Sequence, residues 1–165
     1  MHYAPINPSD LNFFQGFYGL RKTGFPIVGF EGSGVIEQAD NANLIGKKVS
    51  IFADMSNGTH STHMVTQPKN TILWPDSADL KLISMSVINP LSCIGMLNIT
   101  KKENVKTILI SAAASSLSKM MVRTIKQSRN FDVKNVIGMT RSRNTDSELL
   151  NIGFDEVIST EPQQT

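Results

Sequence analysis

Residues 107–126 read TILISAAASSLSKMMVRTIK: a short apolar run, a stretch of alanine and serine, then a segment with helical periodicity. The first part, TILIS, is rich in the β-branched residues that suit a strand. In the last part Leu117, Met120, Met121, Thr124 and Ile125 recur at the spacing of one helix face. The turn between them must be tight, yet it contains no glycine. Towards the C-terminus the alternation continues. VKNVIGMT (133–140) reads as a second strand and TDSELLNIGF (145–154) as a helix. Thr145 and Glu148 stand at capping-box spacing, and Gly153 is placed to end that helix. DEVIST (155–160) reads as a third strand. Strand–helix–strand–helix–strand with short turns predicts parallel pairing through right-handed crossovers, half of a doubly wound nucleotide-binding sheet.

The preceding residues have a different character. Gly and Pro punctuate positions 1–75, Gly24, Pro26 and Gly58 among them, with β-type runs between: SGVIEQ, KKVSIF, THMVT and NTILW. DLKLISMSVINP then reads as helical, with Pro90 expected to end or kink it, and LSCIGMLNI as a second helical piece. The expected fold class is therefore α/β. A loop-rich β domain over residues 1–88 precedes a partial βαβαβ parallel sheet over residues 89–165.

Composition narrows the function classes. The 165 residues are 40% hydrophobic and 18% charged, enough apolar material for a packed core. Net charge is +2 with both signs interspersed, so no basic block marks a nucleic-acid footprint. The single cysteine, Cys93, excludes an internal disulfide and a multi-cysteine zinc cluster, and it fits a reducing compartment. No apolar run approaches the ~20 residues of a membrane span. The opening MHYAPINPSD has neither an apolar signal core nor an Arg-rich amphipathic helix. An intracellular chain without a visible targeting segment is expected.

Chemistry concentrates around the second half. In a dinucleotide site glycines permit a tight turn and close approach of backbone to pyrophosphate. Here residues 112–118 are Ala, Ala, Ala, Ser, Ser, Leu and Ser. Small side chains keep the packing close, helix N-terminal N–H groups still favour an anion, and serine hydroxyls add donors. A position needing positive φ would be strained without glycine. The plainer alternative is a small-residue turn that only packs a helix on a sheet. After the second strand come Thr140, Arg141, Ser142 and Arg143, with no acid before Asp146. NAD sites carry an acid here for the ribose hydroxyls, whereas arginine suits the 2′-phosphate of NADP. The alternative is a solvated basic turn.

Other residues draw plainer readings. His60 and His63, three apart on an expected strand, would point to opposite faces, and no Cys, Asp or Glu cluster completes a metal shell. Lys119, Arg123 and Lys126 read as a solvated helix face. Cys93 reads as a buried small residue, and Met85, Met96, Met120 and Met121 as core filler. Tyr18, in QGFYG, is either a packing aromatic or an exposed phenol able to donate a proton.

APINPSDLNFFQGFYG followed by FPIVGFEGSGVI resembles the medium-chain dehydrogenase/reductase superfamily. The likeness is strongest to its zinc-free quinone oxidoreductases and mitochondrial 2-enoyl thioester reductases. GKKVSIF, VINPLSCIGML, ILISAAASSLSKM and GMTRSR…LLNIGFDEVI extend it, in family order, over nearly the whole chain. The resemblance implies a GroES-like catalytic-type domain followed by a Rossmann domain. It implies that the loop holding Asn7 and Tyr18 borders nicotinamide and substrate, with Tyr18 matching the proposed proton donor of enoyl reductases. Asn89, Pro90 and Ser92 match the segment approaching the nicotinamide. Ser115, Ser116 and Leu117 match the pyrophosphate turn, and Arg141 and Arg143 the 2′-phosphate site. NADPH is the implied cofactor.

Zinc is not implied. Phe30 stands where zinc-dependent relatives place the histidine of a Gly-His-Glu motif, and the four-cysteine lobe is missing. Ser118 occupies a position where relatives often keep glycine. Family members are considerably longer, so a chain shortened at both ends is expected, its parallel sheet having an open edge and an uncovered apolar face. Two functions follow. One is an NADPH-dependent reductase of conjugated carbonyl compounds. The other is a catalytically inactive relative serving as a subunit, the open sheet covered by a self-partner or a larger assembly. The mitochondrial matrix and the cytoplasm are both compatible locations.

Overall fold

The computed structural model describes residues 1–19, 27–53, 58–128 and 130–161, with Arg143 by its backbone alone. Gly24 and Pro26, among the expected turn residues, and Arg129, at the end of the helical run, lie outside the described residues. The chain divides into two compact units, Met1–Ile88 and Asn89–Thr165.

The first unit begins with helix α1 (Pro8–Phe14), where Pro8 fills a first-turn position whose N–H would be unpaired anyway. Strands β1 (Glu31–Val35), β2 (Lys48–Phe52) and β3 (Thr71–Trp74) form an antiparallel sheet in that order, with Glu31 opposite Phe52 and Lys48 opposite Trp74. The short helix α2 (Leu80–Ile83) lies against β1 and β2, and Ser33 Oγ donates to Leu80 O at 2.6 Å. Val49, Ile51, Ala53, Ile83 and Val87 are buried. THMVT forms no strand. Ser61 Oγ donates to His63 O at 2.9 Å, and the His63 ring meets Glu37 at 3.1 Å, so local side-chain bonds replace a ladder there.

Helix α3 (Ile88–Lys102) leads into the second unit. Pro90 does not end the preceding helix as expected. It sits third in α3, where a missing N–H costs nothing. The break falls earlier, where Ser84 Oγ and Ser86 Oγ donate to Lys81 O and Ile83 O. Strands β4 (Thr107–Ile110), β5 (Asn135–Thr140) and β6 (Glu156–Ser159) form a parallel sheet in that order. Helices α4 (Ser116–Gln127) and α5 (Asp146–Ile152) make the crossovers. The expected α/β class is the one observed.

One core joins all three helices to the sheet: Cys93 and Leu97 of α3, Met121, Val122 and Ile125 of α4, Leu149 of α5, with Ile110, Val136 and Phe154. Successive right-handed crossovers running in one direction put α4 and α5 on the same face. Strand alternation turns Leu109 and Ile158 the other way, 59% and 43% exposed. That face of the sheet is bare among the described residues.

Several local readings need correction. The buried line of α4 runs Ser118, Met121, Val122, Ile125, one residue round from the expected face, because the Ser118 hydroxyl is satisfied inside by Ser111 O and Ser115 Oγ. Thr145 makes no side-chain cap to α5. It follows a 3-10 turn (Arg143–Thr145), and its φ and ψ of −111° and 1° are not those of an N-cap. Glu148 instead pairs with Lys119 at 2.5 Å, and Lys126 with Asp155 at 2.7 Å, so two of the three α4 cations tie elements together. Met85 and Met96 are exposed, while Met121 is buried and Met120 packs on the core. Gly153 ends α5 at φ 124°, a conformation that favours glycine, as its position implies.

Candidate functional site

The glycine-free turn closes in two ways. Ala112 adopts φ 49°, the left-handed region that L side chains disfavour. Ala113 is fully buried, and its N–H donates to Met139 O at 3.1 Å. The room for its methyl comes from β5. A Cβ at Gly138 would stand 2.9 Å from Ala113 Cβ and 2.9 Å from the Phe154 ring. The small residue needed for close helix–strand packing has thus moved to the neighbouring strand. Ser115 then caps α4, its Oγ accepting from Ser118 N at 3.2 Å. The N–H groups of Ser116 and Leu117, in the first turn, meet no acceptor among the described residues.

A cavity of about 380 Å³ opens above this turn. It is lined by residues 112–115, by Met139, Thr140 and Arg141 at the end of β5, and by Thr160 after β6. The C-terminal end of a parallel sheet is where open α/β folds bind ligands. Arg141 is exposed. Its backbone is fixed: the carbonyl accepts from Ser159 Oγ at 2.8 Å and from Glu161 N at 3.0 Å. The carbonyls on either side are also held, Thr140 O by Thr160 N at 3.0 Å and Ser142 O by Thr140 Oγ1 at 2.9 Å. The structure thus brings Ser115 and Arg141 to one cavity. Ser116 and Leu117 begin α4 beside it, and the Arg143 backbone opens the following 3-10 turn.

Asn89 and Ser92 lie in the first turns of α3, half-buried and exposed respectively. Asn7 and Tyr18 belong to the first unit. Asn7 precedes α1, and its side-chain amide donates to Glu31 Oε1 at 3.0 Å. Glu31 Oε2 accepts from Val87 N at 3.1 Å and Ile88 N at 2.9 Å, so this carboxylate, 1% exposed, is paired throughout. Asp10, equally buried, accepts from Asn7 N at 2.6 Å and Phe30 N at 3.0 Å. The half-buried Tyr18 ring lies 5.2 Å from that of Phe30, and its N–H donates to Asn12 O.

The two buried acids are absent from the sequence-based list. The spacing of Asn7 and Asp10, an N-cap followed by an acid three residues on, was the available signal for Asp10. A lone Glu31 between Phe30 and Gly32 carries none. The hydroxyls of Thr140, Ser159 and Thr160 are missed as well, because only strand register brings Ser159 opposite Thr140.

Other chemistry is weak. Burial pushes the Cys93 thiol up, and its hydrogen bond to Thr124 offsets this only in part, which disfavours a thiolate nucleophile. His60 meets Pro5 O at 3.2 Å and His63 meets Glu37. The described residues hold no group of three or more His, Cys, Asp or Glu suited to a metal ion.

No protein-family model matches the chain. The mitochondrial enoyl-[acyl-carrier-protein] reductase of Dictyostelium discoideum is 28% identical over the whole chain, which covers 48% of that protein. A Mesorhizobium loti protein assigned as an NADPH:quinone reductase superposes with a TM-score of 0.86 at 28% identity, over 97% of this chain and 47% of its own. The mitochondrial 2-enoyl thioester reductase heterodimer of Candida tropicalis shares the fold, with a TM-score of 0.73 at 23% identity, over 94% of this chain and 50% of its own. The chain spans about half the length of the relatives it matches. With a GroES-like antiparallel unit followed by half a Rossmann sheet, it resembles chains of the medium-chain dehydrogenase/reductase superfamily. Within that superfamily it resembles the zinc-free branch, where enoyl and quinone reductases are found.

Proposed function

We propose that this chain carries the adenosine-phosphate half of an NADPH site in a zinc-independent reductase of conjugated carbonyl compounds. The observation that carries the reading is the joining, in one cavity at the strand ends, of a tight helix-opening turn with the cation Arg141. The residues fit the group. The unpaired first-turn N–H groups of Ser116 and Leu117 and the Ser115 hydroxyl suit a pyrophosphate. The guanidinium of Arg141 suits a 2′-phosphate, and the family resemblance adds Arg143, two residues on. Asn89 and Ser92 are assigned to the nicotinamide side.

When bound, the nicotinamide supplies hydride for conjugate reduction. Tyr18 would hold its phenol proton for delivery to the α-carbon, braced by Phe30. Asn7 would border the same site, its amide oriented by Glu31. A 2-enoyl thioester is the substrate class favoured by the enoyl reductase relatives, and the mitochondrial matrix the favoured location. No zinc takes part in this reading.

A second reading is favoured by a separate observation, the bare sheet face bearing Leu109 and Ile158. Contiguous exposed apolar surface marks a partner site. In this reading the chain is an inactive subunit of a homo-oligomer or larger assembly.

Calorimetric titration with NADPH, with NADH as control, separates the two, followed by NADPH oxidation assays on a crotonyl thioester. Selective NADPH binding with turnover that falls in Tyr18→Phe supports the reductase. Failure of a folded sample to bind either nucleotide would leave the subunit.

A further inference from the structure

We propose that Ser159 is a positioning residue for 2′-phosphate selectivity, acting through the backbone of Arg141; this rests on the cofactor reading above. An arginine on an exposed turn is a poor discriminator unless its backbone is held, because ordering it on binding consumes affinity. Here three consecutive carbonyls of the turn have donors. Thr140 O takes Thr160 N at 3.0 Å and Thr160 Oγ1 at 3.3 Å. Arg141 O takes Ser159 Oγ at 2.8 Å and Glu161 N at 3.0 Å. Ser142 O takes Thr140 Oγ1 at 2.9 Å. The ladder between β5 and β6 pairs Thr140 with Ser159 and goes no further, so the turn beyond it is held by hydroxyls and by two N–H groups following β6.

Ser159 differs from the others in binding Arg141 itself with a side chain that can be removed without disturbing the strand ladder. The hydroxyl also has an electrostatic consequence. A carbonyl dipole left free beside a dianionic phosphate would oppose binding, and one committed to Ser159 and Glu161 is held in a fixed direction. The sequence contributes the arginine, and the third strand fixes where its backbone stands.

The test uses the full chain with adenosine 2′,5′-bisphosphate and 5′-AMP, which differ by the one phosphate in question. Ser159→Ala should weaken the bisphosphate by about fivefold, the worth of one hydrogen bond, and leave 5′-AMP unchanged. Ser159→Thr, which keeps a hydroxyl, should restore the preference, whereas a merely structural role would move both ligands together. Arg141→Ala is the control for the underlying reading. If the wild-type chain shows no preference for the bisphosphate, or Arg141→Ala retains it, the cofactor reading falls and this inference with it. If Arg141→Ala abolishes the preference while Ser159→Ala keeps it in full, the inference alone is overturned.

Discussion

Ala112→Gly is the most informative perturbation, because it asks whether the glycine-free turn is held under strain. An L residue in the left-handed region costs roughly 1–2 kcal/mol, and glycine is free of that cost. Glycine loses more chain entropy on folding, by about 0.5–1 kcal/mol. The Ala112 side chain is exposed, so no buried contact is lost with its methyl. The balance favours glycine by about 0.5–1 kcal/mol, a rise in Tm of roughly 2 °C for a chain of this size. Thermal melts followed by circular dichroism measure that rise. Amide exchange at Ala113, which donates to Met139 O, localises it. Ala112→Val should move the melt the opposite way, since a β-branched side chain tolerates positive φ worse. A lower Tm for Ala112→Gly, or no difference between the Gly and Val variants, would refute the strained turn.

Gly138→Ala should destabilise by about 1–3 kcal/mol, since its Cβ would crowd Ala113 and the Phe154 ring. Adding Ala113→Gly should recover only part, because the ring remains, and chemical denaturation of the two single variants and the double variant would show it; a neutral Gly138→Ala would contradict the close approach. Acid stability offers a further test. Burial alone would raise the Asp155 carboxyl, but hydrogen bonds from Lys126 and Val136 N and the charge of Lys126 hold it below its ordinary value. The unfolded chain therefore binds more protons below about pH 4, so this contribution is complete above that pH and is lost as pH falls. Asp132, held at about 2 by hydrogen bonds from Lys106 and Lys134, acts in the same window. Asp155→Asn should flatten part of the acid limb in urea titrations at successive pH values, and an unaltered limb would deny Asp155 that role.

What could be read in the sequence followed from periodicity. Every strand of the parallel sheet lies within its expected run, because β-branched residues between small or polar breaks leave the backbone few alternatives. The turn after the first of these strands was legible in outline, since alanine and serine are small whatever their conformation. Its mechanism was not. Whether Ala112 takes positive φ, and whether Gly138 supplies room for Ala113, depends on which strand lies alongside, and that is a long-range fact. THMVT and the Thr145 cap fail for the opposite reason. Their patterns were sound locally, but Ser61, Glu37 and Lys119 offered bonds that competed with them. Glu31 escaped notice because its buried carboxylate is recognisable only by the N–H groups that converge on it, whereas Asp10 did leave a trace in its capping-box spacing from Asn7.

The proposed functions make different demands on the chain. Recognition of a 2′-phosphate, as proposed, would draw on the turn, the α4 N-terminus, Arg141 and the β6 end, all within Asn89–Thr165 and linked by bonds internal to that unit. In the proposed reading, binding of the adenosine half would therefore be a local property of this unit. Hydride transfer, as proposed, would ask for more, because a reacting carbon would have to be fixed against Tyr18 to within a fraction of an ångström. The bare face bearing Leu109 and Ile158 bears on the second demand and not on the first. A partner covering it would stiffen the sheet that carries the cavity, and its absence would loosen that sheet while leaving the phosphate contacts chemically intact. Under the proposed readings nucleotide selectivity and catalytic competence would thus be separable, and selectivity could outlast catalysis.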